Sequence, residues 1–476
     1  MLPLRRTMLL RGGTLVTMDP ARSVVRADLL VEEGRIARIG PRLRAPPKAA
    51  VLDCARKLVI PGLVQSHTHL CQTLFRNQAD GLELLDWLSR RIWPLEAAHD
   101  ARSLRFSARL GIAELLLSGT TCILDMGTVH HTDALLRAVL DSGLRYTGGK
   151  CLMDAPDSPE GLRESTSQAL AGAERLGARW HGKDEGRIRW ALCPRFALSC
   201  TEELLRRVAE LGERRGWMVH THASENRDEV ARVRQRTGMG NVAFLRRVGL
   251  CGPATAIAHC VHLDAGEVRI LAESGATAVH CPGANLKLAS GIADVPRLLR
   301  SGVNVALGSD SAACNNTLDA FHEMRLAGTL HLPRGGARAM PASEVLAMAT
   351  IRGARALGLE SEIGSLEVGK KADLTVVDLS APHLAPSGPD PHSTLVYSAC
   401  KTDVTDTIVD GRWLVRDRKL VSLDAADLAG RAAAEVAKVL DRVIRTSPRD
   451  RPARPDPERS VRPRRAGSAG APRKRG

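Results

Sequence analysis

The sequence predicts an α/β protein in which a (β/α)8 barrel is inserted into a small β-domain built from both ends of the chain. Short strand patterns bounded by turn signals occupy the two ends. Between them, eight strand patterns alternate with amphipathic helical stretches over about 300 residues, which is the length and order of such a barrel. Polar residues follow several of these strands, at the edge where barrels carry their chemistry.

The β-domain is predicted from strands that recur at the two ends. Between two of them, Glu32-Glu33-Gly34 is a hairpin signal. The predicted strands cover residues 15–18, 27–31, 35–39, 51–53, 372–378 and 407–415. We therefore expect residues 8–60 and 363–425 to form the two parts of one domain.

The barrel is predicted over residues 61–362. After an opening stretch at residues 60–69, its predicted strands cover residues 121–125, 144–147, 188–192, 218–222, 254–259, 277–280 and 303–308. Helical patterns such as 101–117, 202–214 and 264–273 separate them. An open doubly wound sheet is the alternative arrangement. However, no Gly-x-Gly-x-x-Gly follows the first strand, so nucleotide binding of the Rossmann type is not supported.

The opening stretch ends in two histidines that one residue separates, and its sequence is Ile60-Pro61-Gly62-Leu63-Val64-Gln65-Ser66-His67-Thr68-His69. Because side chains alternate between the faces of a strand, His67 and His69 point the same way and make half of a metal site. Taken alone this signal is weak, since His-x-His also occurs on solvated strands.

Further polar residues lie at or just beyond the ends of the later strands. They are His220, His222 and Glu225 in the fifth unit, His259 and His262 in the sixth, His280 in the seventh and Asp310 in the eighth. For His220, His262 and His280 we favour a hydrogen-bonded histidine in the core. A core histidine or a helix-capping aspartate would explain each of the others singly, but chance does not readily place the whole series at strand ends.

The residue types in this series suit a catalytic metal. A set of imidazole and carboxylate ligands without thiolate favours zinc, and iron and manganese also bind such ligands. An open coordination position would hold a water and lower its pKa to about 7. Asp310 could then contact the metal and accept a proton, while Glu225 could protonate a ring nitrogen and later the leaving group. His259 could orient the water, so the set suits attack of water on an unsaturated carbon.

Several sequence motifs of the chain resemble those of the amidohydrolase superfamily, specifically of its deaminase and chlorohydrolase branch. They are Pro61 to His69, Trp93-Pro94-Leu95-Glu96, His222-Ala223-Ser224-Glu225, Ala258 to Leu263, Asn285 to Gly291, Leu307-Gly308-Ser309-Asp310 and Gly364 to Leu374. The resemblance covers about residues 8–425. It implies a distorted (β/α)8 TIM barrel, a flanking β-sandwich and one divalent metal ion.

The resemblance also implies roles for individual residues. By analogy the metal ligands are His67, His69, His222 and Asp310, with Glu225 as the proton shuttle and His259 holding the water. The two-metal branch carries a bridging lysine at the end of the fourth strand. This chain has Arg195 there, which favours one metal.

The amino-acid sequence of the whole chain is most similar to those of the deaminases of 5'-methylthioadenosine, S-adenosylhomocysteine and 5'-deoxyadenosine. Asn315-Asn316 and Glu323-Met324-Arg325-Leu326-Ala327 belong to this resemblance. In those enzymes the position of Glu96 binds ribose hydroxyls. The resemblance therefore implies a hydrolase that acts on the C–N bond of a cyclic amidine, releasing ammonia from a 5'-substituted adenosine.

Three residues depart from that pattern in the expected pocket. Cys193-Pro194-Arg195-Phe196 is similar to a segment of guanine deaminases, and Gln72 matches the glutamine with which those enzymes hold their base. An arginine donates to a ring carbonyl, and an amide both donates and accepts, so Arg195 and Gln72 suit an oxo-purine or a pterin. Lys150 lies near an arginine position of the adenosine-type enzymes. Guanine, 8-oxoguanine or pterin deamination and triazine dechlorination therefore stay as alternatives.

The net charge of +15 is concentrated towards the C-terminus. Residues 446–476 contain ten Lys or Arg and three Asp or Glu, with almost no apolar residues. We expect a disordered, solubilising basic tail after a C-terminal helix at 426–445, because such a composition cannot bury enough surface to order itself. Nucleic-acid contact by the tail has no motif to support it.

The rest of the composition is that of an ordinary globular protein. No apolar run approaches the ~20 residues that span a bilayer, and the first residues have too short an apolar core for a secretory signal. Eleven cysteines without a Cys-x-x-Cys pair indicate neither a disulfide framework nor a zinc ribbon. We expect a cytoplasmic enzyme without a membrane partner, and relatives suggest a homo-oligomer.

Overall fold

The computed structural model describes residues 7–446, and the predicted tail from residue 447 onward lies outside them. Its strands are β1 (Met8–Val16), β2 (Val24–Glu32), β3 (Arg35–Gly40), β4 (Ala50–Asp53), β5 (Lys57–Pro61), β6 (Leu63–Thr68), β7 (Thr120–Thr128), β8 (Arg145–Leu152), β9 (Ile188–Pro194), β10 (Met218–Ala223), β11 (Thr255–His259), β12 (Thr277–His280), β13 (Val305–Leu307), β14 (Leu374–Asp378), β15 (Val404–Val409), β16 (Arg412–Arg416) and β17 (Lys419–Leu420).

The helices lie mostly between the strands of the insertion. They are α1 (Leu84–Trp87), α2 (Trp93–Ala97), α3 (Ala101–Leu117), α4 (Thr132–Ser142), α5 (Thr166–Trp180), α6 (Lys183–Gly186, an irregular turn), α7 (Glu202–Arg215), α8 (Arg227–Thr237), α9 (Asn241–Arg247), α10 (Ala265–Ser274), α11 (Pro282–Lys287), α12 (Val295–Arg300), α13 (Ala320–Thr329), α14 (Leu332–Gly335), α15 (Ala342–Met348), α16 (Ile351–Ala356), α17 (Pro391–Ser393) and α18 (Ala425–Thr446). Short 3-10 or π-helical turns lie at Leu70–Phe75, Leu88–Ile92, Glu160–Leu162, Pro382–Leu384, Thr394–Ser398 and Lys401–Asp403.

The eight strands β6 to β13 run parallel and follow one another in the sheet in chain order. The last pairs with the first through a parallel bridge between Thr68 and Asp310, so the sheet closes on itself. The prediction of a (β/α)8 barrel is therefore confirmed, and the open doubly wound alternative is wrong because the two edges meet. Closure brings the carboxyl ends of β6 and β13 side by side.

The strands at the two ends of the chain form one nine-stranded mixed sheet. Its two parts join where β5 pairs antiparallel with β14. The predicted hairpin at Glu32-Glu33-Gly34 is confirmed by the antiparallel pair β2–β3. The stretch 407–415 is two strands rather than one, because the chain turns at Asp410-Gly411. Gly411 contacts Gly34, so the two ends of the sheet fold towards each other around their own apolar core.

The sequence explains why the barrel strands lie so close together. All nine residues of β7 are buried, as expected for a parallel strand covered on both faces. Gly62 precedes β6 at a point where a Cβ would lie 2.1 Å from Thr121 Oγ1, so only glycine allows this approach to β7. Asp100 and Ser103 form a capping box that fixes the start of α3, as predicted at residue 101.

The predicted C-terminal helix corresponds to α18, which packs against α3. Arg442 of this helix donates to the Ala98 carbonyl oxygen and forms an ion pair with Asp100 at 3.1 Å. Within residues 7–446, no helix is both long enough and apolar enough to cross a membrane.

Candidate active site

The barrel brings four of the predicted side chains together at the carboxyl ends of its strands. His67 Nε2 and His69 Nε2 lie 3.3 and 3.4 Å from Asp310 Oδ1. His222 Nε2 lies 3.2 Å from His69 Nε2. We call these residues the ligand cluster (His67, His69, His222 and Asp310). They lie on β6, directly after β6, on β10 and in the turn after β13, respectively. His67, His69 and Asp310 are buried, and His222 is partly buried.

Hydrogen bonds behind two of the histidines turn their lone pairs towards the cluster. His222 Nδ1 lies 2.7 Å from the Arg195 carbonyl oxygen, which can only accept, so Nδ1 carries the proton and Nε2 is a lone-pair donor in the neutral ring. His67 Nδ1 lies 2.8 Å from His220 Nε2. His67 Nε2 is buried and has no hydrogen-bond partner among the described residues, although it faces Asp310.

Burial and the mutual proximity of these groups favour neutral imidazoles and an ionised carboxylate. Burial holds the pKa of His69 and of His222 well below the usual value, and burial likewise lowers the pKa of His67. Burial opposes ionisation of Asp310, but the neighbouring histidines outweigh it and the pKa of Asp310 lies well below its usual range. Neutral imidazole and carboxylate are the protonation states that bind metal ions.

The ligand cluster fits one divalent metal ion. Donor atoms of His67, His69 and His222 form one group within 4.8 Å of one another, and those of His67, His259 and Asp310 form another. The unpartnered His67 Nε2 is explained if it binds a cation. Within the described chain, every ion-pairing partner of Asp310 is a histidine, so no Lys or Arg takes the place of that cation.

Glu225 and His259 lie beside the ligand cluster. His259 Nε2 is 3.3 Å from Glu225 Oε2 and 3.9 Å from Asp310 Oδ2. His259 Nδ1 faces Asn285 Oδ1 at 2.8 Å, which fixes the plane of the ring. Burial, reinforced by the charge of Asp310, raises the pKa of Glu225 well above its usual value. The protonated form of Glu225 is therefore favoured more than that of a solvent-exposed glutamate.

The backbone at this edge takes conformations that few residues adopt. Asp310 and His259 have φ values of 60° and 75°, in the left-handed region. The Asp310 N–H donates to the His67 carbonyl oxygen at 3.0 Å. Gly308 makes this approach sterically possible, because a Cβ there would lie 2.9 Å from His67 backbone atoms. These constraints fix the carboxylate of Asp310 next to the imidazoles.

Three predicted substrate-binding residues form one network, which we call the Glu96 wall (Gln72, Glu96 and Arg195). Arg195 Nη1 donates to Glu96 Oε2 at 2.6 Å and Arg195 Nη2 donates to Glu96 Oε1 at 3.2 Å. Gln72 Nε2 donates to Glu96 Oε1 at 2.7 Å, and Gln72 Oε1 is buried without a partner in the described chain. The arginine and the carboxylate thus neutralise each other in a bidentate pair.

The cavity at the site is covered from outside by the segment 84–92, which we call the covering segment. Leu84, Trp87 and Leu88 of this segment line the cavity together with residues of the ligand cluster, Gln72 and Arg195. Their spacing places them on one face of the α1 turn. The free volume beneath them is about 30 Å³, roughly the share of one water molecule in the liquid.

Lys150 does not join the other predicted residues. Its Nζ donates to Glu164 and to the Val129 carbonyl oxygen, and its side chain contacts the position of Gly172 on α5. Lys150 lies at the end of β8, where strand alternation directs its side chain away from the barrel interior. The expectation that Lys150 contacts substrate is therefore not supported by its position.

Several contacts that hold the site together were not predicted from the sequence. His220 is a hydrogen-bonded core histidine, as expected, but its support of His67 was not predicted, although it precedes His222 by two residues on the same strand face. Glu229 accepts from the Glu225 N–H at 2.7 Å, and the Asn226–Glu229 capping box is a readable signal for this contact. The covering segment had no signal beyond its apolar spacing.

The two remaining histidines of the series differ from each other. His262 Nε2 bonds to the Ser290 carbonyl oxygen at 2.7 Å, as expected for a structural histidine. For His280 the expectation of a hydrogen-bonded ring is wrong, because neither ring nitrogen has a partner within residues 7–446. Burial lowers the pKa of His280 to about 3, so the buried ring is neutral at physiological pH.

The sequence that forms this site matches a known protein family. The model of the amidohydrolase family matches residues 58–414. The chain belongs to the amidohydrolase family. The matched region of this amidohydrolase spans the whole barrel, the ligand cluster and the Glu96 wall.

Individual proteins are similar over nearly the whole chain. A 5'-deoxyadenosine deaminase of Methanothermobacter thermautotrophicus is 41% identical over 420 residues, covering 87% of this amidohydrolase and 96% of the relative. A 5-methylthioadenosine/S-adenosylhomocysteine deaminase of Moorella thermoacetica is 40% identical, covering 84% and 92%. The crystal structure of an adenosine deaminase from Xanthomonas campestris with bound zinc has a TM-score of 0.86 at 34% identity, and covers 92% of this chain and 100% of that one.

Proposed function

We propose that this amidohydrolase hydrolytically deaminates a 5'-substituted adenosine, such as 5'-deoxyadenosine, 5'-methylthioadenosine or S-adenosylhomocysteine, with release of ammonia. Relatives at about 40% identity that carry these names support the substrate class. The pairing of Arg195 with Glu96 is the structural observation behind the choice, because it gives the buried arginine a partner within the protein and so weakens the argument that it meets a ring carbonyl. The charge of Arg195 and two of its five N–H donors are engaged by the carboxylate.

The cofactor in this proposal is one divalent metal ion, zinc first, held by His67, His69, His222 and Asp310. Three imidazoles and one carboxylate suit zinc, and the zinc in the similar adenosine deaminase structure supports the same choice. A divalent ion bound there supplies Lewis-acid activation of water at neutral pH.

The residues around the ligand cluster divide the proton transfers between them. Glu225, whose pKa is raised by burial and by the charge of Asp310, donates a proton to a nitrogen of the purine ring. His259 Nε2 hydrogen-bonds to the attacking water and orients it, and the Asp310 carboxylate accepts the first proton that the water loses. The water oxygen bonds to the ring carbon, the proton held by Asp310 passes to the exocyclic amine, and the C–N bond breaks to release ammonia. The proton of the added hydroxyl returns to Glu225 as the ring carbonyl forms.

Substrate entry requires movement of the covering segment. A free volume of about 30 Å³ is far below the roughly 300 Å³ of the smallest common ligand pockets. Leu84, Trp87 and Leu88 then close over the purine and exclude bulk water from the reaction. Gln72 Oε1 and Trp87 Nε1, both buried without partners in the described chain, are available to bind the substrate.

A substrate panel tests this function. The purified full-length chain is assayed for ammonia release from 5'-deoxyadenosine, 5'-methylthioadenosine, S-adenosylhomocysteine, adenosine, guanine and a pterin. We expect one of the 5'-substituted adenosines to exceed guanine and the pterin at least about tenfold in kcat/KM, which is about 1.4 kcal/mol of transition-state stabilisation. Preferred turnover of guanine or the pterin would contradict the proposal.

A further inference from the structure

A second group of metal-binding side chains lies in the β-domain part of the chain, between β14 and β15. His383 Nε2 lies 2.9 Å from Asp403 Oδ2. Cys400 Sγ lies 3.3 Å from the same oxygen and 3.7 Å from the same nitrogen. We propose that His383, Cys400 and Asp403 bind a second divalent cation of the zinc class, independent of the ligand cluster in the barrel.

Local structure holds two of the three donors in place. Cys400 and Asp403 bracket the 3-10 turn Lys401–Asp403, where residues three apart lie on the same side. The Cys400 N–H donates to Asp403 Oδ2 at 2.9 Å, and the Asp403 N–H donates to the Cys400 carbonyl oxygen at 3.0 Å. The turn leads directly into β15, which anchors it to the sheet.

The third donor comes from a separate turn. His383 lies in the single 3-10 turn Pro382–Leu384 and reaches Asp403 across the loop. The Asp403 side chain is 4% exposed and forms the floor of the group, whereas that of His383 is 46% exposed. Cys400 is partly buried. One side of the group is therefore open to solvent, so a cation can enter and keep a water ligand.

The chemistry and spacing of the donors fit zinc. Cys, His and Asp are all side chains that bind zinc in proteins. With bond lengths of about 2.0 to 2.3 Å, neighbouring ligand atoms in a tetrahedral site are about 3.3 to 3.6 Å apart. The observed separations of 2.9, 3.3 and 3.7 Å require adjustments of only a few tenths of an ångström.

A simple ion pair does not explain the whole group. A hydrogen bond from His383 to Asp403 accounts for their own contact, and the Cys400 thiol lies beside both side chains, at 3.7 and 3.3 Å, and 3.1 Å from Thr402 Oγ1. Two cysteines, Cys251 and Cys400, are partly exposed, and the other nine are buried. Cys251 contacts Ser274, and in the described chain outside the barrel site only Cys400 joins a histidine and a carboxylate.

A bound cation would cross-link residue 383 to residues 400 and 403. Such a cross-link closes the loop between two turns, and it stabilises the folded state because the ion binds the assembled site in preference to the separated residues of the unfolded chain. The site thus has a structural role that is separate from catalysis. Zinc should raise the Tm of the protein through this site by mass action.

Cobalt substitution tests this site without relying on activity. The full-length chain, stripped of metal, is titrated with Co²⁺, because a thiolate ligand gives a sulfur-to-cobalt charge-transfer band in the near ultraviolet. The proposed ligands in the barrel contain no sulfur, so the band reports the second site. We expect two cobalt ions per wild-type chain, with one of them producing the band.

Three variants make the result decisive. Cys400→Ser and His383→Ala should each bind one cobalt ion, with the band lost in the first and lost or strongly reduced in the second. Cys251→Ser, the matched control with the other partly exposed thiol, should bind two ions and keep the band. A wild-type protein with one ion and no band, or a band that persists in Cys400→Ser, would overturn the second site. The proposed deaminase activity does not depend on either result.

Discussion

Asp310 of the ligand cluster forms ion pairs only with histidines within residues 7–446, whereas Glu96 pairs with the guanidinium of Arg195. Both carboxylates are nearly inaccessible to water. Asp310 thus lacks a permanently charged partner in the described chain, and Glu96 has one. We therefore expect a metal ion to complete the ligand cluster, whereas the charges of the Glu96 wall compensate each other as the chain folds.

The same difference separates what each region can do in catalysis. A metal ion bound at the ligand cluster would have open coordination positions and could activate a water molecule there. A carboxylate already bound to arginine is fixed in orientation and suits recognition of the substrate. We therefore expect the ligand cluster to determine the chemistry and the Glu96 wall to determine the substrate specificity, so variants of the two should lose activity in different ways.

Asp310→Asn should give the largest effect. The loss of a charged ligand should lower the metal content of the barrel site and reduce kcat by about 10⁴-fold or more, because the metal ion contributes several kcal/mol. Metal analysis and ammonia release measure the two consequences together. Asp294→Asn is the matched control, since Asp294 only caps α12 and should leave both values unchanged.

Glu225→Gln should reduce kcat by about 10²- to 10⁴-fold while the metal content stays that of the wild type. An amide keeps the shape of the side chain and removes its transferable proton. Equal metal content with low turnover would separate the proton-transfer role from a ligand role. A variant that retains full activity would refute the assignment of Glu225.

Arg195→Met tests the wall. The buried Glu96 would lose its counter-ion, which costs about 3–5 kcal/mol when one partner of such a pair is removed. We expect a lower Tm and a KM raised about tenfold or more, with unchanged metal content. The double variant Arg195→Met/Glu96→Gln should recover part of the Tm. Additive losses in the double variant would mean that the two residues do not act as a pair.

Glu323→Gln should change how the stability depends on pH. Burial raises the pKa of Glu323 to about 8, so between pH 4.5 and about 8 the folded protein holds a proton that the unfolded chain has released. The stability contribution of this group therefore falls as pH rises through that window. Glutamine does not titrate, so the Tm of the variant relative to wild type should rise by a few °C from pH 5 to pH 8. A constant difference would contradict the raised pKa.

Lys150→Met should have the smallest effect on catalysis. Because Lys150 pairs with Glu164 outside the cavity, its loss should lower the Tm without changing KM by more than about twofold. A large increase in KM would show that Lys150 contributes to substrate binding.

The predictable part of this molecule is the part that regular strands determine. Alternation along β6 and β10 orients His67, His69 and His222, and closure of the barrel brings Asp310 to them, so strand patterns sufficed. The pairing of Glu96 with Arg195 joins residues 99 positions apart, one in the short helix α2 and the other directly after β9, and no local pattern encodes this contact. The side of β8 on which Lys150 lies depended on where the strand begins, and that register was not readable from the sequence.

Removal and return of the metal test the central claim most directly. The full-length protein is assayed for ammonia release from 5'-deoxyadenosine before chelation, after chelation and after addition of one equivalent of Zn²⁺ at a time. We predict that activity disappears with the metal and returns with the ion that fills the ligand cluster, in wild type and in Cys400→Ser alike. Full ammonia release from the metal-free protein would contradict the account.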